Sequence, residues 1–171
     1  RLRAQTAGRV GVFVGVMWGE YSLYSTPDIG VSGSYASIAN RVSYVLNLQG
    51  PSMAVDTMCS SSLTSIHLAC ESIKRGECAV ALAGGVNLSL HPNKYLYLSQ
   101  GQFAASDGRC RSFGADGDGY VPGEGVGVVM LKSLTQAEAG GDQIYGLIKG
   151  SFLNHGGKTN GYTVPNPYAQ G

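Results

Sequence analysis

The sequence predicts an α/β domain in which helices cover a mainly parallel β-sheet. Short apolar runs, rich in β-branched or small residues, alternate along the chain with segments of helical periodicity. Such runs are typical of strands buried on both faces. The order strand, helix, strand, helix, strand then requires crossover connections and a layered architecture. Glycine makes up 26 of the 171 residues without forming a repeat, which indicates tight turns and close backbone approaches.

The first strand is predicted over Val10–Met17, where the sequence reads VGVFVGVM. Residues 18–34 hold glycines, a proline and several aromatic residues, and we interpret them as a loop. The spacing of apolar residues predicts a helix over residues 35–48. Its expected core-facing stripe consists of Ile38, Val42, and Val45 or Leu46.

A second strand and helix follow in residues 51–76. The short apolar run Met53–Val55 suits a buried strand. A polar turn with Asp56 and Cys59 separates this strand from a helix. Apolar residues recur in that helix at spacings of three and four, which puts them on one face. They are Leu63, Ile66, Cys70 and Ile73.

The remaining elements are predicted from the same signals. A buried strand runs over residues 79–90 and contains the pair Gly84-Gly85, which marks a bulge or a close backbone approach. The later elements are a short helix or turn at 94–102, a glycine- and aspartate-rich loop at 103–125, a strand at 126–131, a helix at 135–139, a strand at 144–153 and a final loop.

Composition excludes several classes of function. Charged residues are 13% of the chain, the net charge is +1 and no basic run is present, which argues against a nucleic-acid partner. No apolar stretch is long enough to span a membrane, and no signal peptide is evident. The four cysteines have neither metal-ligand nor disulfide-framework spacing, so we expect a reducing, cytoplasmic location. The chain opens with Arg1, and we interpret it as part of a longer protein.

Cys59 is the candidate nucleophile. It lies between a strand and a helix, where the first N–H groups of the helix have no internal acceptor. Those groups and the helix dipole favour a thiolate, and they would stabilise an oxyanion beside the sulfur. The alternative is that Cys59 is a small buried apolar residue, as free cysteines usually are.

The residues around Cys59 read VDTMCSSSLTSIHLAC. This segment resembles the active-site motif of β-ketoacyl synthases, the condensing enzymes of fatty-acid and polyketide synthesis. The resemblance implies that Cys59 accepts an acyl chain as a thioester. It also implies a thiolase-like fold, layered α-β-α-β-α, of which residues 1–171 would form the first half and the start of the second.

Two further blocks extend the resemblance. The block DGRCRSFGADGDGYVPGEGVGVVMLK is similar to a family segment that forms a turn near the active site, which implies that Phe113 borders the acyl pocket. The block NHGGKTNGYTVPNP is similar to a family loop, and implies that Thr163 contacts the phosphopantetheine arm of an acyl carrier protein. Met58, beside the nucleophile, is a further candidate pocket residue. Within the family, the segments NLSLHPNKYLYLSQGQFAASDGRCRSFG and NHGGKTNGYTVPNP look most like bacterial modular polyketide synthases, especially those that use separate acyltransferases.

The implied reaction is a decarboxylative Claisen condensation with a malonyl-carrier thioester. It requires no metal or dissociable redox cofactor, because the enolate comes from loss of carbon dioxide and fixed dipoles stabilise the oxyanions. The substrates are carried on the phosphopantetheine of an acyl carrier protein. The implied partners are that carrier protein, neighbouring synthase domains and a second copy of the chain, paired near strand 52–57. The two histidine motifs of the family do not occur in these 171 residues, so we expect this chain alone to be acylated at most.

Two alternative functions stay open. The first is a non-catalytic ketosynthase-like domain that organises a synthase or sets chain length, although such relatives commonly replace the cysteine. The second is a cysteine hydrolase that uses Cys59 and His155. A hydrogen-bond distance between the Cys59 sulfur and His155 would favour the hydrolase, and we predict that the two residues are not so placed.

Overall fold

The computed structural model describes residues 6–26 and 33–171. The chain divides into two compact units, Arg1–Ser133 and Leu134–Gly171, and each is described by itself. The part of the predicted loop at residues 27–32 lies outside the described residues.

The first unit contains four strands and three α-helices among its described residues. The strands are β1 (Val10–Gly15), β2 (Ser52–Val55), β3 (Val80–Asn87) and β4 (Gly125–Lys132). The helices are α1 (Ala36–Leu46), α2 (Ser61–Lys74) and α3 (Asn93–Gln100), and a short 3-10 helix spans Glu20–Tyr24. The predicted elements of this unit are therefore confirmed, with boundaries shifted by a few residues.

The four strands form one sheet in the order β2-β1-β3-β4. β1 pairs in parallel with β2 and with β3, with Phe13 opposite Met53 and Ala83. β4 pairs antiparallel with β3. The carboxyl ends of β1, β2 and β3 therefore meet at the same edge of the sheet, which is where open α/β sheets form their binding crevices.

One helix covers each face of the sheet. On one face, the Ser43 hydroxyl of α1 lies 2.8 Å from the Ser52 hydroxyl of β2. On the other face, α2 packs against β1 and β3 around a core of small side chains and one aromatic ring. The buried members of that core are Phe13, Ala69, Cys78, Ala81 and Ala83.

The predicted core stripes of both helices are wrong in part. In α1, the buried residues are Ala39 and Ser43, whereas Val45 is 77% exposed. In α2, Ile66 and Ile73 do pack against the core, but Leu63 is 71% exposed. The residues that face the sheet most closely are small and mostly polar, because both helices lie close to the strands. In α2 they are Ser61, Thr64, Ser65, Ala69 and Ser72.

The second unit contains the helices α4 (Leu134–Ala139) and α5 (Pro167–Gln170). The strand predicted over residues 144–153 is not formed, and residues such as Tyr145 and Phe152 are largely exposed. A strand needs a neighbour whose N–H and C=O groups complete its ladder, and no described residue pairs with this segment. Within the described ranges, no helix is long and apolar enough to cross a membrane.

Candidate active site

The turn that carries Cys59 joins β2 to α2. The carboxylate Oδ1 of Asp56 accepts a hydrogen bond of 2.9 Å from the N–H of Met58, as in an Asx-turn. Met58 has a φ of +59°, a left-handed conformation that is uncommon for a non-glycine residue. This conformation turns the chain sharply, so that Cys59 is exposed immediately before the helix.

Hydroxyl groups hold the turn in this shape. The Ser61 hydroxyl donates to the carbonyl oxygen of Met58 at 2.5 Å and accepts from the N–H of Thr57 at 2.9 Å. The Thr57 hydroxyl lies 2.9 Å from that of Ser60 and 3.0 Å from that of Thr64. The serines that follow the cysteine therefore bond across it and fix its backbone on both sides.

The start of α2, which follows Cys59 directly, keeps two backbone donors without acceptors among the described residues. The N–H of Ser61 donates to Met58, and that of Thr64 donates to the carbonyl oxygen of Ser60. Among the described residues, the N–H groups of Ser62 and Leu63 have no hydrogen-bond acceptor. Such N–H groups, aligned with the helix dipole, favour a negative charge at the helix start.

Two glycines allow the helix start to lie directly on the strands. A Cβ atom at Gly15 of β1 would come 2.6 Å from the backbone of Ser61, and one at Gly85 of β3 would come 2.0 Å from the Ser62 hydroxyl. Any larger residue would push the helix start outward. Of the bulge or close approach predicted at the pair Gly84-Gly85, the structure has the close approach, made by Gly85 to the Ser62 side chain, and β3 pairs with β4 there without a bulge.

The sulfur opens into a cavity of about 240 Å³ at the carboxyl ends of β1 and β3. The cavity is formed within the first unit by the end of β1, the Cys59 turn, the end of β3 and residues 120–123. The lining residues that matter most for its chemistry are Trp18, Met58, Cys59, Asn87, Lys94 and Tyr120. The cavity therefore combines apolar walls with a cation, an amide and a phenol.

Lys94 is 1% exposed, although it lies in the first turn of α3. Its ammonium donates to Oδ1 of Asn87 at 2.6 Å and to the carbonyl oxygen of Leu88 at 3.1 Å. The same nitrogen lies 5.5 Å from the centre of the Trp18 ring, within cation–π range. Burial lowers the pKa of Lys94, and the carboxylates of Glu20 and Glu124 oppose that shift.

Glu20 shapes the segment that precedes Lys94. Glu20 is 5% exposed, and its carboxylate accepts hydrogen bonds from the backbone N–H groups of Leu90 at 3.0 Å, His91 at 3.2 Å and Lys94 at 3.1 Å. A buried carboxylate that takes three N–H donors is a strong local constraint. Neither Glu20 nor Lys94 was predicted as a site residue from the sequence. One sequence signal could have pointed to Lys94. It is a lysine in the first turn of a helix, where the helix dipole disfavours a positive charge.

Residues 103–125 reach the cavity through Tyr120. Its backbone is fixed by hydrogen bonds with Phe103 and Ala105. Burial raises the pKa of the Tyr120 phenol, and charge on the nearby Cys59 raises it further. The phenol therefore keeps its proton at neutral pH and is a hydrogen-bond donor in the cavity.

The other predicted site residues are placed differently. Met58 lines the cavity. Phe113 has a fully exposed side chain and a φ of +62°, and it is not among the cavity residues. Thr163 and His155 belong to the second unit, where Nδ1 of His155 accepts the N–H of Gly157 at 2.9 Å. The roles given to these side chains in the sequence analysis stay predictions.

The remaining cysteines differ from Cys59. Cys78 is buried, with its sulfur 3.3 Å from the Ser72 hydroxyl. Cys70 is half-buried, and burial raises the pKa of its thiol. Cys110 is exposed, and its sulfur accepts the N–H of Val121 at 3.0 Å. Of the four, Cys59 alone lines the cavity.

The chain belongs to the β-ketoacyl synthase family. Residues 2–137 match the family model described as the β-ketoacyl synthase N-terminal domain. The chain is 54% identical to the oxazolomycin ketosynthase domain OzmH KS7 of Streptomyces albus, with a TM-score of 0.94 over 99% of the chain. The predicted thiolase-like α/β fold is thereby confirmed.

The similar curated proteins are polyketide synthases. The chain is 62% identical to PksL of Bacillus subtilis over 98% of its length, and 66% identical to ThaG of Burkholderia thailandensis over 94%. It spans only 4% and 3% of those two relatives, and 30% of the solved oxazolomycin ketosynthase chain.

Proposed function

We infer that the protein is a polyketide-synthase ketosynthase in which Cys59 is the acylated nucleophile. The observation that carries this inference is the position of the sulfur. Cys59 is exposed immediately before α2, whose first N–H groups include two without acceptors, and it lines the cavity at the edge of the sheet. A cysteine with only a packing role would be buried, as Cys78 is.

The proposed reaction has two stages. The Cys59 thiolate attacks the carbonyl carbon of an acyl-carrier thioester, and the carrier thiolate leaves and takes a proton. A malonyl-carrier thioester then loses carbon dioxide, and the electrons of the broken C–C bond form an enolate. The enolate carbon attacks the acyl-Cys59 carbonyl, and the Cys59 thiolate leaves. The N–H groups at the start of α2 are suited to stabilise the oxyanion formed on the acyl-cysteine in each stage.

The proposed partners follow from the same reaction. The substrates are presented on the phosphopantetheine of an acyl carrier protein, with Thr163 as a candidate contact, and Phe113 is retained as a candidate at the acyl pocket. Neighbouring synthase domains supply and receive the carriers, and the acyltransferase is proposed to be a separate protein. The free cysteines fit the proposed cytoplasmic location.

We also infer a homodimer. The strand order places β2 at one end of the sheet, and its outer edge offers backbone N–H and C=O groups to a second strand. Pairing of two copies of Ser52–Val55 would bring the two Cys59 turns near the interface, since each turn follows its strand directly.

A turnover assay of the full-length protein tests the proposed function. Acyl- and malonyl-carrier thioesters should give a β-ketoacyl thioester two carbons longer with the wild type, and none with Cys59→Ala. Release of the free acid instead would favour the hydrolase alternative. Absence of both products from a protein that folds and binds carrier would favour the non-catalytic domain.

A further inference from the structure

We propose that Lys94 is a specificity-determining residue, whose ammonium in the cavity selects acyl chains that carry an uncharged oxygen such as a hydroxyl or keto group. This inference rests on the proposed function, because it concerns the chain held on Cys59. Lys94 and Cys59 line the same cavity, although Cys59 lies in the turn before α2 and Lys94 lies in α3.

The hydrogen bonds of Lys94 leave one donor unused. An ammonium group has three N–H donors, and two of them are taken by Asn87 and by the carbonyl oxygen of Leu88. Among the described residues, the ammonium has no third hydrogen-bond acceptor. A buried donor without an acceptor is unfavourable, so an oxygen that enters the cavity and accepts this N–H is favoured.

The surroundings hold the ammonium in place. Asn87 accepts from Lys94 through its Oδ1 and donates through its Nδ2 to the carbonyl oxygen of Gly123, so both ends of the amide are fixed. The backbone N–H of Lys94 is bound by Glu20. The remaining donor is therefore held in a defined position, as a hydrogen-bonding specificity site requires.

The charge balance argues for a neutral oxygen. The carboxylates of Glu20 and Glu124 act on the Lys94 ammonium, and Glu124 also accepts the N–H of Ser89 at 2.6 Å. With two carboxylates already near one ammonium, a carboxylate on the acyl chain would meet repulsion. A hydroxyl or keto oxygen accepts the N–H without adding charge. The Trp18 ring at 5.5 Å from the ammonium leaves an apolar wall for the carbon chain.

The test compares loading of the full-length protein by matched thioesters of N-acetylcysteamine: hexanoyl, 3-hydroxyhexanoyl and 5-hydroxyhexanoyl. The wild type should load at least one hydroxylated chain faster than hexanoyl. Lys94→Met should lower the ratio of hydroxylated to plain loading about tenfold, the scale of one hydrogen bond to a charged group. Lys74→Met, at an exposed lysine, is the matched control and should leave the ratio unchanged.

The outcomes separate the two inferences. A wild type that shows no preference for either hydroxylated chain overturns the role of Lys94, whether or not the variant folds. An equal loss for all three substrates in Lys94→Met also overturns it, because a structural defect does not discriminate between them. Loading that persists in Cys59→Ala refutes the proposed function itself, and the inference with it.

Discussion

The Ser61 hydroxyl donates a 2.5 Å hydrogen bond to the carbonyl oxygen of Met58, across the residue that carries the candidate nucleophile. Because the same hydroxyl accepts the N–H of Thr57, one side chain joins the end of the strand region to the first turn of α2. The position of Cys59 therefore depends on the side chain of Ser61.

Ser61→Ala should loosen this turn. Ser61 is 4% exposed, and removal of its hydroxyl leaves the N–H of Thr57 without this acceptor and the carbonyl of Met58 with one donor fewer, at a cost of about 1 kcal/mol. We expect faster hydrogen exchange in peptides covering residues 57–64 and slower acyl loading of the full-length protein. Ser60→Ala removes an exposed hydroxyl from the same turn and should have a smaller effect; equal effects would contradict this account.

Gly15→Ala should displace the start of α2. The added Cβ would lie 2.6 Å from the Ser61 backbone, which no side-chain rotation can relieve, and overpacking of this kind costs about 1–3 kcal/mol or more. We predict a loss of loading, together with faster exchange in the peptides of β1 and α2. Gly117→Ala is the control, because its nearest neighbours stand at 3.6 Å or more. Normal loading by Gly15→Ala would show that the close approach is unnecessary.

The four cysteines should differ in alkylation by iodoacetamide. Cys59 and Cys110 are exposed, whereas Cys78 is buried and burial raises the pKa of Cys70. Since the thiolate is the reactive form, mass spectrometry should find Cys59 and Cys110 labelled first. Prior acyl loading should protect Cys59 and leave Cys110 reactive. Labelling of Cys70 at the rate of Cys59 would be inconsistent with the structure.

The loop at residues 103–125 should lose an ion pair in acid. The Arg111 guanidinium donates to the Asp107 carboxylate at 2.6 Å and lowers the pKa of that carboxyl. A lowered folded pKa means that the folded state binds fewer protons than the unfolded state in this range. The stabilisation is therefore full above the unfolded pKa of about 4 and disappears as the pH falls through the lowered value.

The Arg111→Gln variant tests this dependence. Hydrogen exchange of loop peptides should be faster than in the wild type at pH 7, and the difference should vanish at a pH below the pKa of Asp107. Arg109→Gln is the matched control, since the contact of Arg109 with Asp107 is made by its backbone N–H. A difference between wild type and Arg111→Gln that is the same at both pH values would exclude the ion pair as its cause.

The strands and helices of the first unit were predicted correctly, because they depend mainly on local sequence patterns. The short apolar runs became β1 and β3, and the periodic segments became α1 and α2. The buried faces of the helices were predicted less well, because an apolar stripe is expected to face the sheet. Here the space above Gly15 and Gly85 admits only small residues, so serines are buried and Leu63 is exposed.

Contacts between residues distant in sequence could not be predicted from local sequence patterns. Cys59 was found from its place between strand and helix, which is a local feature. Glu20 and Lys94 are 74 positions apart, and their hydrogen bond exists only once β1 and β3 lie side by side. The predicted strand at 144–153 has the right composition, but a strand also depends on a partner that sequence composition does not specify.

The location of the acyl adduct tests most directly whether Cys59 is the acylated nucleophile. The full-length protein is incubated with an acyl-carrier thioester, digested and mapped by tandem mass spectrometry. We expect one acyl thioester in the wild type, on the peptide that contains Cys59, and none in the Cys59→Ala variant. An adduct on Cys110 or Cys70, with Cys59 unmodified in the wild type, would contradict it.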